Sequence, residues 1–420
     1  MNGLLLIISR SLRQHALSTA VTVVSVALAT GLLMSVFAIR KQTHDAFTGG
    51  DVGFDAVLGA RGSQLQLVLN TVFHLETSPG NIPYQVYLDV KKDPRVTLAI
   101  PYAVGDNYRG YRIVGTTDEF FTRFEYQKGK KFQFQPGGRV FETDPPRQEA
   151  VIGSFVAQKT GLKRGDTFNP YHGLYYDETQ RHEEEYVVVG VLEPTNTPND
   201  RAIWIPLEGI YRMTGHYLRG AGREVQAQPG VAIPDEDKEV SAVMLKLVSP
   251  QAGFTLLHQV NKQGTAATLA WPIGSVMAEL FEKIGWLDRV LELIAYLVVV
   301  VAAASILASI YNTMNERRRE FAILRALGAQ RATVFAAIVG EAKVIAALGS
   351  LLGFGVYAAI LAATSVVIRS QTGVVLDVFA WHPVFWIAPL GMIILGALAG
   401  VVPALKAYGT DVASNLAPQS

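Results

Sequence analysis

The chain has 420 residues, room for two or three domains, and no cysteine, which excludes a disulfide framework, a thiol nucleophile and thiolate metal ligation. Of its residues 50% are hydrophobic and only 17% charged, and the mean hydropathy is +0.24, a balance that favours a membrane protein over a soluble one. A formal net charge of +1 gives no general attraction for nucleic acid or anionic substrates.

Residues 1–16 carry Arg10 and Arg13 and read as a cytoplasmic N-terminus. The uncharged run 17–39 is long enough for one membrane span of about 20 residues. It exceeds the roughly 7–15 residues of a signal-peptide core, so a retained anchor helix is expected, with the chain emerging outside.

Residues 40–285 are rich in Gly, Pro, Tyr and charge, and their apolar runs are short. A helix is expected over 62–76, lying close to the membrane, because Leu65, Leu67, Val68, Leu69, Val72 and Phe73 make one broad apolar side. Strands are expected at 96–102, 111–115, 131–134, 149–152, 186–192, 202–205 and 242–248, and helices at 153–160, 207–214 and 251–264. This mixture predicts a large α+β periplasmic domain of two lobes, inserted between the first and second spans. His182 beside Glu183, Glu184 and Glu185 invites a metal reading, but no H-x₃-H or HExxH spacing accompanies it. A solvated acidic loop is the expectation, with no metal site, and His44, His74, His172 and His216 are scattered along the chain. No G-x-S-x-G surrounds any serine and no Walker A is present. No catalytic residue and no cofactor are therefore expected on this chain.

An amphipathic helix over 279–292 should run unbroken into the second span, so that 286–314 is stalk and span. Residues 315–331, NERRREFAILRALGAQR, hold five arginines against two glutamates, and positive-inside bias places them in the cytoplasm. Glu316, Arg317, Arg318, Arg319, Glu320 and Arg325 form the charged side, while Phe321, Leu324 and Leu327 form a narrow apolar side that would seat the helix. Gly328 suits the left-handed position that ends a helix. The third span is expected within 332–368. There Glu341 must face protein, pair or reach the interface, and Gly349 and Gly353 permit close helix approach. A short outer loop, 369–378, precedes the fourth span, 379–402, where Gly396 and Gly400 repeat that spacing, and 403–420 form a cytoplasmic tail.

The run 315–331 resembles the cytoplasmic loop of the MacB/LolCE/FtsX family of ABC transporter permeases. The stretches EAVIG at 149–153, GLKRGD at 161–166, and residues 187–192 and 200–206 are similar to the family's periplasmic core, with an FtsX-like permease domain over 290–415. The resemblance implies a non-catalytic permease subunit in a bacterial inner membrane, both termini cytoplasmic. Its partners would be two copies of a separate ATPase carrying ATP and Mg, a second permease subunit (identical or related), membrane lipid, and a periplasmic adaptor or lipoprotein. The loop would contact the ATPase and move the periplasmic domain, which handles a lipoprotein, peptide or small molecule. Two alternatives stand beside it: an FtsX-like regulator of a periplasmic enzyme, and a membrane-anchored periplasmic sensor or binding domain.

Overall fold

The computed structural model describes residues 2–49, 53–143, 147–228, 230–264 and 266–408. The tail expected beyond residue 408 lies outside the described residues. The chain forms two compact units, one from Met1–Thr43, Ile284–Val366 and Leu376–Ser420, the other from His44–Lys283 and Val367–Val375.

In chain order, α1 (Asn2–Gln14) and α2 (Ala16–Thr48) come first. The strands follow as β1 (Ala56–Ala60), β2 (Ile82–Pro83), β3 (Val96–Tyr108), β4 (Tyr111–Thr116), β5 (Glu149–Ile152) and β6 (Thr167–Phe168). Then come β7 (Tyr171–His172), β8 (Tyr186–Val191), β9 (Ile203–Pro206), β10 (Glu239–Val240), β11 (Ala242–Leu247) and β12 (Ala267–Ala270). Among them lie α3 (Gln64–Thr71), α4 (Tyr84–Lys91), α5 (Glu119–Thr122), α6 (Ser154–Thr160), α7 (Leu207–Tyr211) and α8 (Pro250–His258).

The mixed unit is organised by one sheet, in the order β12-β1-β11-β3-β4-β9-β5-β8-β6, with β7 pairing on β3. Most pairs are antiparallel, but β4–β9 and β5–β8 are parallel. Successive residues of a strand face opposite sides, and the cores divide accordingly. Ile203 and Ile205 join one core, with Val243 and Leu245, while Ala202 and Trp204 join the other, with Met244 and Ile100. The two cores lie on opposite faces of this one sheet. On the second face α3 lies close over β1, because a Cβ at Gly59 would come within 2.4 Å of Leu67. Leu67, Val68 and Phe73 are buried there, so the apolar side expected to lie near the membrane is filled by the domain's own sheet. Residues 131–134 form no strand, since Phe134 makes only an isolated bridge to Leu192.

The remaining helices are α9 (Ile273–Glu316), α10 (Arg318–Ala326), α11 (Arg331–Thr372) and α12 (Val384–Tyr408); they belong to the helical unit except for α9 up to Lys283 and α11 from Val367. Among the described residues four helices, α2, α9, α11 and α12, are long and apolar enough to cross a membrane. As the patterning predicts, the approach segment and second span are one helix, α9, of 44 residues.

Candidate functional site

The charged segment breaks at Arg317, which leaves the helical run between α9 and α10 with φ −101° and ψ 10°. Its guanidinium turns into the helical unit. Nη1 donates to Ser11 Oγ and lies 3.5 Å from a Glu341 carboxylate oxygen, while Nε donates to Glu320 at 2.9 Å. Ser11 in turn donates to Glu341 at 2.8 Å, and the guanidinium rests 5.0 Å from the Phe321 ring centroid. Arg317 and Glu341 are both only 6% exposed, so each charge compensates the other's loss of water. Arg317, expected on the outward charged face, is therefore an internal anchor, because the buried carboxylate of α11 draws it in.

Beyond that anchor, Glu316, Arg318, Arg319 and Glu320 are exposed, Arg325 and Leu324 half-buried, and Phe321 buried. Leu327 does not seat the helix; it is 80% exposed. At 3.6 residues per turn it is rotated about 120° from Phe321, and the helix has already ended at Ala326. Gly328 closes the turn at φ +99°. The four span glycines sit at helix crossings. A Cβ at Gly349 would come within 2.5 Å of Val26 and one at Gly353 within 2.9 Å of Thr30, both on α2. Those at Gly396 and Gly400 would come within 2.7 and 2.8 Å of Ala346 and Ala342 on α11.

A second cluster lies in the mixed unit, where Asp106, His172, His182 and His216 converge with one ligand atom each, all within 4.8 Å of one another. The backbone explains the convergence. The β3–β4 register shifts between Val104 and Asp106, a bulge that re-aims the strand, and Asp106 pairs directly with His172 of β7. The Asn107 side chain donates to the carbonyls of Tyr171, Gly173 and Tyr175, fixing that loop. His182 donates its backbone N–H to the Pro170 carbonyl, and His216 enters from the turn after α7. Burial alone would raise the Asp106 carboxyl pKa, but the three imidazoles around it hold it well below the usual carboxylate range.

The family model for the MacB-like periplasmic core domain matches residues 16–243, more than half of the chain, and that for the FtsX-like permease C-terminal matches residues 292–412. The chain belongs to the MacB/FtsX-like permease family. Members of this family are ABC transporter permeases, generally non-catalytic, that work with ABC ATPases. Among solved structures, the permease is similar to the periplasmic region of MacB from Actinobacillus actinomycetemcomitans, at 10% identity and TM-score 0.36, over 57% of this chain and 98% of that one. It is also similar to the extracellular domain of the noncanonic ABC-type transporter YknZ from Gram-positive bacteria, at 16% identity and TM-score 0.29, over 51% and 97%. No curated protein matches it in sequence.

Within the permease, the residues singled out in 315–331 thus separate into an inward anchor and an outward face. The convergence of Asp106 with three histidines is what sequence reading missed. Of the histidines noted there, His172, His182 and His216 meet, whereas His44 bonds Thr48 and His74 packs 5.7 Å from Trp204. Glu183 and Glu185 fit the expected acidic loop, but His182 between Arg181 and Glu183 turns inward and is 6% exposed. Asp106 carried no signal in the sequence.

Proposed function

We propose that the permease is one subunit of a mechanotransmitting ABC transporter in a bacterial inner membrane, with both termini cytoplasmic. A separate ATPase pair, holding ATP and Mg, acts on α10; the motion passes along the helices and moves the periplasmic domains of two permease subunits. The domain then handles its cargo (lipoprotein, peptide or small molecule) on the periplasmic side, with an adaptor or lipoprotein as receiver. The observation that carries this reading is the division of labour at α10. Its charged outer face is presented by Arg318 and Arg319, while Arg317 fastens its start to α1 and α11 through Ser11 and Glu341. A surface helix held by a buried charge pair can take a load from a partner and pass it inward.

The test is a mild-detergent pull-down of the tagged permease from native membranes, beside an Arg318→Glu/Arg319→Glu variant. A Walker-containing ATPase recovered with the parent and lost with the variant is the expected result. An ATPase that stays bound to the charge-reversed permease overturns the contact; no ATPase with either protein overturns the transporter reading.

A further inference from the structure

We propose that Asp106, His172, His182 and His216 form a binding site for one zinc-class divalent cation in the mixed α/β unit. The inference is independent of any coupling to an ATPase.

Four of the six ligand–ligand distances match a tetrahedral ion, and all six lie within 4.8 Å. Ligand atoms about 2.0–2.1 Å from a zinc ion stand about 3.3–3.4 Å from one another. Asp106 Oδ1 lies 3.0 Å from His182 Nε2, 3.2 Å from His216 Nε2 and 3.3 Å from His172 Nδ1, and His172 Nδ1 lies 3.3 Å from His216 Nε2. The three rings also stand nearly perpendicular in pairs, with centroids 5.1 to 5.7 Å apart and interplanar angles of 75° to 79°. Edge-on imidazoles directed at one point are what a shared ligand atom requires.

Hydrogen bonding alone accounts for the cluster poorly. Three ring nitrogens crowd one carboxylate oxygen, while Asp106 Oδ2, equally buried, has no hydrogen-bond partner among the described residues. An oxygen with two lone pairs is oversubscribed beside one with none used. The tautomer of His182 sharpens the point. Its Nδ1 lies 3.0 Å from the Thr214 carbonyl, which can only accept, so the proton sits on Nδ1. Only a protonated ring could donate from both nitrogens; in the neutral ring Nε2 directs a lone pair at Asp106 Oδ1, 3.0 Å away, acceptor against acceptor. A cation at the centre removes the conflict, and a carbonyl holding the far nitrogen of a ligating histidine is the usual outer support of a metal site.

The donor set selects the ion. Three imidazoles and one carboxylate suit zinc and its borderline neighbours; calcium and magnesium demand six or more oxygens, which this cluster does not supply. Access is open on one side. His172 has a side chain 54% exposed, and a cleft of about 280 Å³ lined by Gly105, His172, His216, Tyr217 and Glu239 adjoins it. The four ligands come from β3, β7, the turn before β8 and the turn after α7, so a bound ion clamps two loops to the sheet.

The experiment uses the full-length permease in detergent, stripped with a chelator and titrated with Zn²⁺ against a chromophoric competitor, then with Co²⁺ followed by its visible absorption. One zinc equivalent and an intense tetrahedral Co²⁺ spectrum are expected. His172→Ala and His216→Ala, chosen because both rings reach the surface, should each weaken zinc binding at least about 100-fold, the upper range for loss of even an outer-shell partner. His258→Ala, an exposed histidine of α8, should bind like the parent. Equal melting temperatures in chelator show that the variants fold, and His172→Asp, which retains a ligand, should recover part of the affinity. Zinc binding absent from the parent, unchanged in His172→Ala and His216→Ala, or giving a weak octahedral Co²⁺ spectrum overturns the assignment.

Discussion

Arg317 and Glu341 carry opposite charges into a place that water does not reach, and neither is tolerable there alone. Their separation, 3.5 Å at the closest, is long for a direct hydrogen bond, so Ser11 completes the link by donating to the carboxylate while accepting from the guanidinium. Removing one member leaves the other buried without its counter-charge, and this is more damaging than removing both. Arg317→Met should therefore destabilise the permease by about 3–5 kcal/mol, as should Glu341→Leu, and Arg317→Met/Glu341→Leu should recover most of that loss. Thermal unfolding of the four proteins of this double-mutant cycle in detergent measures the coupling directly. Additive losses would show that the pair does not act as a unit.

At the scale of helices, the small residues decide which faces touch. Gly349 and Gly355 lie in the same helix, α11, yet a Cβ at Gly349 would collide with Val26, whereas one at Gly355 would meet nothing within 4 Å. Gly349→Ala should cost about 1–3 kcal/mol by forcing α2 and α11 apart. Gly355→Ala should be neutral or stabilise by up to about 1 kcal/mol through helix propensity. Melting temperatures of the two variants separate the cases, and an equal fall in both would refute the packing role. These crossings were legible because a glycine spacing in an apolar run has few other uses. Strands were legible where β-branched residues cluster, as in Tyr186–Val191. They were lost where small residues blur the pattern, as in Ala56–Ala60 and Ala267–Ala270. The outward turn of Leu327 was hidden by a spacing that looks periodic but drifts off the face. The Asp106 cluster was hidden more deeply, since its ligands come from four segments and converge only through a bulge and a register that no local spacing records.

For the whole molecule, the proposed coupling requires that a push at α10 become work in the periplasmic domain. α9 offers the simplest conduit. Its 44 residues rise about 66 Å at 1.5 Å per residue, more than twice the roughly 30 Å hydrocarbon core of a bilayer. Its C-terminal end is followed at once by the Arg317 anchor, and its N-terminal end follows β12 by two residues, Trp271 and Pro272. A continuous helix resists bending over that length, so displacement at one end is delivered at the other. Leu287→Pro, at an exposed position of α9, removes a backbone hydrogen bond and kinks the helix without touching α10. In complexes of permease and ATPase, binding of a non-hydrolysable ATP analogue should alter hydrogen exchange in β1, β11 and β12 of the parent. In Leu287→Pro the ATPase should still co-purify and the exchange response of α10 should persist, while the response of those strands weakens. An undiminished response in the strands would mean that α9 is not the transmitting element, and would shift the load to α2 or α11, the other helices that run on from an apolar span into the mixed unit's sequence.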